Sequence, residues 1–506
     1  MRLLRSFCLG LLGIGLLVGC SSSGTDTPEP TEPSESSAAG HAALIRVDGD
    51  ADDWDAVPVR HTDPSGDGNA LDLGRLWMAH DAERLYLRLE VGTPINLQEG
   101  NDLTLHLDTD ADATTGTSIN GMGADVSWTF GERSGTVVGT SEEIQHDDLG
   151  LATLPTVRSD GFEIALKRTS IVGDTLLFPA DSVRLVLTGG SDTLPDGNHV
   201  AYTFTSAHVS KPTLPSIDRP ADAVRLLAYN AERDAFLEDA DREGAYRRIL
   251  TALNPQIIGF QELYDSNAED TKAKVATLLE DDETWYTEKA GLDLVLVSRY
   301  PITASHTIAG YDDYASGAFL LDATGALGSD LLVILAHPPC CNYSDATPSR
   351  DVQRQITVDA IAAFLRDVQQ GTAPIDVPEN TPIVVAGDMN FVGSAQNAET
   401  VRTGAIVNTD RFGPSAAPDW DDSPLHDLNP PQTGTPLHAT WMGVGSSFPP
   451  GRLDYIYTSD SVVNTANTFT LYTPGLPDSV LATTGLQADD TTVASDHLPL
   501  VVDLVQ

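Results

Sequence analysis

The stretch Pro382-Ile-Val-Val-Ala-Gly-Asp-Met-Asn390 decides the predicted fold of the second half of the chain. Its apolar residues 383–386 predict a buried strand that ends at Gly387. Asp388 and Asn390 follow in a loop, where a carboxylate and an amide can hold and activate a water molecule. Because Asp and Asn also favour turns for local reasons, this stretch gains its weight from other segments of the same kind.

Further apolar strands of this half are predicted at 224–229, 257–260, 292–297, 331–336, 452–457 and 500–504. Polar side chains lie within most of these segments or directly beside them: Asn230, Glu262, His337, Asp454, Asp496 and His497. Helical spacing at 240–253 and 349–368 separates some of the strands. Since strands packed side by side gather their loops at one edge, we expect the polar residues to form one cluster.

The order of these motifs is the main basis for a family resemblance. Asn230, Gln261-Glu262, Ser298-Arg-Tyr-Pro301 and His337 are followed by Gly387-Asp-Met-Asn390, Arg452-Leu-Asp-Tyr455 and Ser495-Asp-His497. Together they resemble the endonuclease/exonuclease/phosphatase superfamily, which includes pancreatic deoxyribonuclease. The resemblance covers residues 221–506. It implies an α/β four-layer sandwich, in which two mixed β-sheets lie face to face and are flanked by helices.

The resemblance also implies a metal site that holds Mg²⁺ or Mn²⁺. Glu262 corresponds to the main ligand, and Asn230 and Asp496 correspond to residues close to the metal. Magnesium keeps several water ligands and shares its coordination with substrate phosphate, so one or two carboxylates are enough.

The catalytic roles that the resemblance implies fall on five residues. Asp388 orients and deprotonates the attacking water, and Asn390 helps to hold the water or the phosphate. His497, oriented by Asp454, binds a phosphoryl oxygen as negative charge develops, and His337 does so from the other side. An acidic partner fixes the tautomer of a histidine and favours its charged form.

The charge of the chain bears on the substrate. The formal net charge is −45, with 74 acidic and 29 basic residues, which argues against a basic nucleic-acid clamp. Tyr264 stands two places after Glu262, where nuclease members tend to carry a basic residue. We predict a phosphodiesterase, with nucleic acid among the candidate substrates. A phosphomonoesterase, a sphingomyelinase-like lipid phosphodiesterase and a carbohydrate-binding surface protein with an inactive second domain are the alternatives.

Residues 41–212 predict an all-β sandwich, because segments such as 85–91 and 103–107 alternate apolar and polar residues. Val47-Asp-Gly-Asp-Ala-Asp-Asp-Trp54 and Leu107-Asp-Thr-Asp-Ala-Asp-Ala-Thr-Thr-Gly116 resemble the family-nine carbohydrate-binding module. The resemblance implies a glycan partner, which needs exposed aromatic platforms. Trp54, Trp77 and Trp128 are candidates for such platforms or for core positions.

An acidic loop in this region suits a calcium ion. Asp108, Asp110 and Asp112 alternate along it, and Ca²⁺ takes several oxygen ligands. The ion would be structural. The alternative is an acidic turn that faces solvent.

The first forty residues predict export and anchoring. Arg2 and Arg5 precede an apolar run too short to span a bilayer, and Leu17-Val-Gly-Cys20 resembles a bacterial lipoprotein signal. Residues 1–19 would be removed, Cys20 lipidated, and residues 20–40 would form a flexible tether. The protein would contact the outer membrane, cell surface or periplasmic face through this anchor only. An ordinary cleaved signal or a short anchor is the alternative.

Three short features complete the sequence. A proline-containing linker at 213–220 separates the predicted domains. Cys340 and Cys341 are adjacent, which leaves a vicinal disulfide or two thiols as alternatives. Arg350 and Arg354 contact the phosphate or cover the sheet, and we favour the second role.

Overall fold

The computed structural model describes residues 39–138, 143–172, 175–280, 282–341 and 347–506. The predicted signal peptide, Cys20 and nearly all of the tether lie outside the described residues. Ala38–Gln506 form one compact unit. Among the described residues, no helix has the length and apolar character that a membrane crossing requires.

The first half of this unit is rich in strands. They are β1 (Val59–Thr62), β2 (Leu73–His80), β3 (Arg84–Ile95), β4 (Thr104–Asp108), β5 (Thr117–Ile119), β6 (Met122–Ala124), β7 (Val126–Thr129), β8 (Ser134–Val137), β9 (Glu143–Ile144), β10 (Ala152–Leu154), β11 (Ser159–Lys167), β12 (Ile171–Val172), β13 (Thr175–Leu176), β14 (Ser182–Gly189), β15 (Asp192–Leu194) and β16 (Val200–Thr203). One antiparallel sheet has the order β1-β2-β3-β11-β10, and another has the order β15-β14-β4-β7-β8-β9, with β16 paired to β14.

The inner faces of these two sheets share one apolar core. Leu76 and Leu87 of the first sheet pack in the same cluster as Leu105 and Trp128 of the second. Alternation along each strand places these residues on the inner face, as the sequence predicts. Trp54, Trp77 and Trp128 are all buried, so none of them is an exposed platform for a sugar.

The second half contains the remaining strands, which are β17 (Val224–Asn230), β18 (Ile257–Gln261), β19 (Tyr286–Ala290), β20 (Leu294–Ser298), β21 (Ile302–Tyr311), β22 (Tyr314–Leu321), β23 (Leu331–Leu335), β24 (Ile383–Asp388), β25 (His426–Asp427), β26 (Asp454–Thr458), β27 (Asn464–Thr470) and β28 (Leu500–Val505). One sheet has the order β19-β20-β18-β17-β28-β27, and the other has the order β21-β22-β23-β24-β26-β25. Both are mixed, because β17 is parallel to β18 and β23 is parallel to β24.

The helices of the described residues are α1 (His146–Leu149), α2 (Ala235–Glu238), α3 (Glu243–Leu253), α4 (Ala268–Leu279), α5 (Thr324–Leu327), α6 (Arg350–Gln369), α7 (Gln396–Thr403), α8 (Thr409–Phe412), α9 (Asp478–Thr484) and α10 (Asp490–Ala494). α3 packs on the outer face of one mixed sheet through Tyr246 and Ile249, and α6 packs on the other through Val358 and Ile361. A third core lies between the sheets. The layers therefore run helix, sheet, sheet, helix, which confirms the predicted α/β four-layer sandwich.

Close packing explains two glycines, one between the two sheets and one between neighbouring strands of the same sheet. A Cβ added at Gly259 of β18 would lie 2.4 Å from Leu335 of the facing sheet. Gly387 has φ +139°, and a Cβ there would lie 2.1 Å from the carbonyl oxygen of Ala336. Only glycine tolerates this backbone and this contact. β24 therefore continues through Gly387 and ends at Asp388, one residue later than the sequence predicts.

A buried ion pair joins β17 to β28. Arg225 and Asp503 are both fully buried, and two hydrogen bonds of 2.7 Å connect the guanidinium to the carboxylate. We expect Asp503→Ala to lower the free energy of unfolding by about 3–5 kcal/mol, because it leaves the Arg225 charge buried without its counter-ion.

The exposed pair between Lys211 and Glu83 provides the control for this prediction. Lys211→Ala should change the same free energy by about 0–1 kcal/mol. Urea unfolding of both variants measures the difference. Equal midpoints for the two variants would contradict the structural role of the buried pair.

Candidate active site

Asn230 lies between two carboxylates where β17 and β24 end. Its side-chain nitrogen donates to Glu262 Oε1 at 3.1 Å and to Asp388 Oδ2 at 3.0 Å. Its oxygen accepts from the backbone nitrogen of Glu232 at 3.0 Å. Asn230 thus bridges the two carboxylates through its side-chain nitrogen, and its place close to the metal stays a prediction. It holds Glu262 and Asp388 at a fixed separation.

Glu262 follows β18 directly and has φ +63°, a left-handed conformation that turns the chain out of the sheet. Its second oxygen accepts from the backbone nitrogen of Arg233 at 2.9 Å. Its own backbone nitrogen donates to Asp293 Oδ2 at 3.1 Å. One hydrogen bond therefore fixes the side chain of Glu262 and another fixes its left-handed backbone. Together they direct the carboxylate towards the cluster.

His337 is buried after β23, and its partner is Asp293. Nδ1 of His337 lies 2.5 Å from Asp293 Oδ2, and Nε2 lies 3.6 Å from Asp388 Oδ2 and 4.0 Å from Glu262 Oε1. Burial opposes protonation, but the charges of Asp293 and the neighbouring carboxylates outweigh it and raise the pKa of His337 to about 9. The imidazole therefore presents a proton on Nε2 to the cluster.

Sequence reasoning missed Asp293. It stands directly before β20, which runs antiparallel to β18. The start of β20 consequently lies at the same edge of the sheet as the end of β18, beside Glu262. The direction of this strand was the signal that could have identified the residue.

His497 mirrors His337 on the other side of Asp388. Its Nδ1 lies 2.9 Å from Asp454 Oδ2, and its Nε2 lies 3.6 Å from Asp388 Oδ2. Asp454 also accepts from Thr440 Oγ1 at 2.7 Å. Burial works against the charge of His497, while Asp454 and Asp388 favour it and raise the pKa to about 10. This is the pairing of Asp454 with His497 that the sequence predicts.

Asp388 is buried at the centre of these groups. Burial raises the pKa of its carboxyl to about 7, although the two imidazoles act in the opposite direction. Asn390, with φ +51°, donates from its backbone to Asp388 Oδ1 at 3.0 Å and from its side chain to Pro338 O at 3.1 Å. A carboxyl with this pKa is suited to accept a proton near neutral pH.

The place of Asp496 close to the metal stays a prediction. Its Oδ2 accepts from the indole nitrogen of Trp441 at 3.0 Å. Within the described residues, the groups of three or more His, Cys, Asp or Glu atoms within 4.8 Å of one another do not include Asp496. The carboxylate still lines the same cavity.

The donor set fits a hard divalent cation. Glu262, His337 and Asp388 each offer an atom within 4.8 Å of the others, and so do Asp388, Asp454 and His497. Glu262 and Asp388 supply carboxylate oxygens at a half-buried to buried site, which Mg²⁺ and Mn²⁺ prefer. Asp293 and Asp454 occupy Nδ1 of the two histidines, so the nitrogens that face the cluster are the Nε2 atoms.

Two further predictions concern residues outside this cluster: the calcium loop of the β-sandwich and Arg354. In the β-sandwich, Asp108, Asp110 and Asp125 come within 4.8 Å of one another, whereas Asp112 accepts from Thr114 instead. The calcium site at Asp108, Asp110 and Asp112 stays a prediction. Arg354 is fully buried and donates to Pro339 O and Cys341 O, so it supports the loop after His337.

A cavity of about 560 Å³ opens onto the cluster. Glu262, Asp388, Asn390, Asp496 and His497 line its floor. Cys340 and Cys341 also line it. A cavity of this volume admits a small organic molecule together with its phosphate.

We expect Asp293→Asn to lower kcat by about 10- to 100-fold, because the amide no longer favours the charged imidazole of His337 or its tautomer. In the pH profile of kcat, the decline on the alkaline side marks the loss of the proton from His337. In the variant this decline should begin at a lower pH than in the wild type. Asp313→Asn, at an exposed turn, is the control. Unchanged kcat and an unchanged profile in Asp293→Asn would contradict the role of this carboxylate.

Comparison with known proteins gives a family and a set of distant structures. The chain matches the Endonuclease/Exonuclease/phosphatase family over residues 227–497, a little over half of its length. No curated protein matches it.

Three solved structures illustrate the similarity. Humanized D. rerio TDP2 is 14% identical, with 56% of this chain and 100% of that chain covered and a TM-score of 0.34. The human Nocturnin catalytic domain is 15% identical, with 57% and 96% covered and a TM-score of 0.34. Sphingomyelinase C from Streptomyces griseocarneus is 14% identical, with 56% and 99% covered and a TM-score of 0.33. By the match over residues 227–497, the chain belongs to the endonuclease/exonuclease/phosphatase family.

Proposed function

We propose that the protein is a phosphodiesterase that depends on Mg²⁺ or Mn²⁺. The observation that carries the proposal is the meeting of two imidazoles at one carboxylate oxygen. Nε2 of His337 and Nε2 of His497 each lie 3.6 Å from Asp388 Oδ2. A base between two cationic donors can accept a proton from water while the donors bind an oxyanion.

Each residue then has one role. Asp388 orients the attacking water and accepts its proton, and Asn390 keeps the carboxylate in place through the bond to its Oδ1. His337 and His497 donate from Nε2 to non-bridging oxygens, on which negative charge grows in the transition state. Asp293 and Asp454 keep the two rings oriented and charged.

The metal requirement follows from the oxygen ligands. Glu262 would be the main ligand of the ion, while Asn230 keeps its carboxylate apart from that of Asp388. When bound, the ion supplies positive charge that polarises the phosphoryl oxygen.

A substrate panel tests the proposal on the mature protein. Bis-p-nitrophenyl phosphate, p-nitrophenyl phosphate and sphingomyelin are each incubated with Mg²⁺, with Mn²⁺ and with EDTA. We expect hydrolysis of the diester with either metal, none with EDTA, and recovery on addition of excess Mg²⁺. Faster release from the monoester or from sphingomyelin would favour the corresponding alternative. Glycan binding without any hydrolysis would contradict the proposal and favour a carbohydrate-binding surface protein.

We also propose, from residues 1–20 alone, that the protein is a bacterial lipoprotein of the outer membrane, cell surface or periplasm. Cell fractionation tests this location. The wild-type chain should be recovered with membranes, and Cys20→Ser should move it to the soluble fraction because the thiol that would carry the lipid is lost. Membrane recovery of Cys20→Ser would contradict the lipid anchor.

A further inference from the structure

The β-sandwich contacts the backbone on both sides of the catalytic residues. Thr156, which follows β10, places its Oγ1 3.0 Å from Phe391 O and 3.0 Å from Arg452 O. Phe391 directly follows Asn390, and Arg452 stands two residues before Asp454. A Cβ added at Gly451 would lie 2.6 Å from the methyl group of Thr156, so this approach requires glycine there.

Two more hydrogen bonds extend the same contact. The backbone nitrogen of Arg158 donates to Gly393 O at 2.8 Å. The side chain of Asn96, in the loop after β3, donates to Val392 O at 3.1 Å. The loop that begins at Asp388 is therefore held by the β-sandwich at successive carbonyl groups.

A second contact forms across the cavity, between Arg133 and the loop 446–450. The guanidinium of Arg133 lies 4.0 Å from the centre of the Phe448 ring, and its Nη1 donates to Gln98 O at 2.6 Å. Nε2 of His146 lies 3.0 Å from Ser446 O. These contacts hold the 446–450 loop against the β-sandwich, and the cation–π contact adds to the apolar packing.

The cavity between these contacts has walls from both halves of the chain. The residues that the β-sandwich contributes are Asn96, Gln98, Glu99, Arg133, Thr153 and Thr156. Apolar side chains of the second half, among them Trp441, Phe448 and Pro450, form another wall above Asp388 and His497.

The composition of the walls indicates the substrate. Trp441 and Phe448 offer apolar and aromatic surface to the part of the substrate beside the phosphate. From the β-sandwich, the charged lining residues are Arg133 and Glu99, which do not form the cationic track that a nucleic-acid backbone needs. A volume of about 560 Å³ holds a small molecule.

We propose that the β-sandwich is a wall of the active site, and that it restricts the enzyme to small phosphodiesters with an apolar or aromatic group beside the phosphate. The proposal rests on the proposed phosphodiesterase function. Phe448 is the specificity residue, because it lines the cavity and is held by Arg133.

The first experiment compares substrates on the wild-type mature protein in Mg²⁺. We expect bis-p-nitrophenyl phosphate to be hydrolysed and supercoiled plasmid to be nicked at least 100-fold more slowly per enzyme. Nicking at a comparable rate would overturn the inference and leave the phosphodiesterase function intact. Hydrolysis of neither substrate, with Mg²⁺ or Mn²⁺, would reject the proposed function and this inference with it.

The second experiment separates KM from kcat with Phe448→Ala. For bis-p-nitrophenyl phosphate, KM should rise about three- to tenfold with kcat within twofold, because an aromatic contact is lost. For methyl p-nitrophenyl phosphate, which has one ring fewer, the rise should be smaller. Val444→Ala, at an exposed position of the neighbouring loop, should change neither constant. Equal changes in KM for both diesters, or a loss in kcat alone, would overturn the assignment.

Discussion

Asp388→Asn is expected to lower kcat on bis-p-nitrophenyl phosphate by about 10³- to 10⁴-fold. The variant keeps the shape of the side chain but loses the group that accepts the proton. It also loses the negative charge that faces Nε2 of both His337 and His497 at 3.6 Å. Initial rates over a range of substrate concentrations separate this effect from weaker binding, which would appear in KM.

Two controls make this result specific. Asp478→Asn changes an exposed carboxylate at the start of α9 and should leave kcat unchanged. The circular dichroism spectrum of Asp388→Asn should match that of the wild type, because Asn230 and Asn390 still surround the site. A kcat within tenfold of the wild type would remove Asp388 from the role of base.

Glu262→Gln is expected to raise the Mg²⁺ concentration for half-maximal activity by at least about 100-fold. The amide keeps the hydrogen bond to the backbone nitrogen of Arg233 but removes the negative charge that would bind the ion. Rates measured against Mg²⁺ concentration give this constant, and Mn²⁺ binding by calorimetry checks it without substrate.

The matched control for Glu262→Gln is Glu232→Gln. Glu232 lies in the loop that follows Asn230, but its carboxylate pairs with Arg242 rather than with the cluster. This variant should keep the wild-type dependence on Mg²⁺. If both variants shifted the constant by the same factor, the effect would come from net charge near the site, and Glu262 would not be the main ligand.

The sequence was sufficient for the strands β17, β18, β20, β23, β24, β26 and β28 and for most of the cluster, whereas β19, β21, β22, β25 and β27 were not predicted. Apolar runs that end in polar residues predicted where Glu262, His337 and Asp388 meet, because the ends of packed strands are constrained to one edge. The pairing of Asp454 with His497 was implied by the family resemblance and agrees with the cost of an isolated charge within a strand. The strand ends needed only local patterns, whereas the roles of the residues needed the resemblance.

Side-chain orientation was beyond those patterns. Asn230 turns its nitrogen to the carboxylates because its oxygen is used by the backbone of Glu232. Asp496 points to Trp441, whose position depends on a loop without periodicity. Asp293 was missed because only the antiparallel direction of β20 brings it beside Glu262.

The contacts of the β-sandwich could not be predicted for another reason. Thr156 and Phe391 are 235 positions apart, and a hydrogen bond from a hydroxyl to a carbonyl leaves no periodic signal in the sequence. Trp54 illustrates a related limit, because its indole nitrogen donates to the buried Glu163 at 2.7 Å. A tryptophan with a buried acceptor is a core residue, and its letter alone does not distinguish it from an exposed platform.

Diffraction from a crystal of the mature protein soaked in Mn²⁺, with anomalous data collected at the manganese edge, tests the shared-ion arrangement most directly. We predict an anomalous peak within coordination distance of a Glu262 carboxylate oxygen, on the side of Asp388, and no such peak in Glu262→Gln crystals treated in the same way. A wild-type crystal with full manganese occupancy elsewhere and none beside Glu262 and Asp388 would contradict the account.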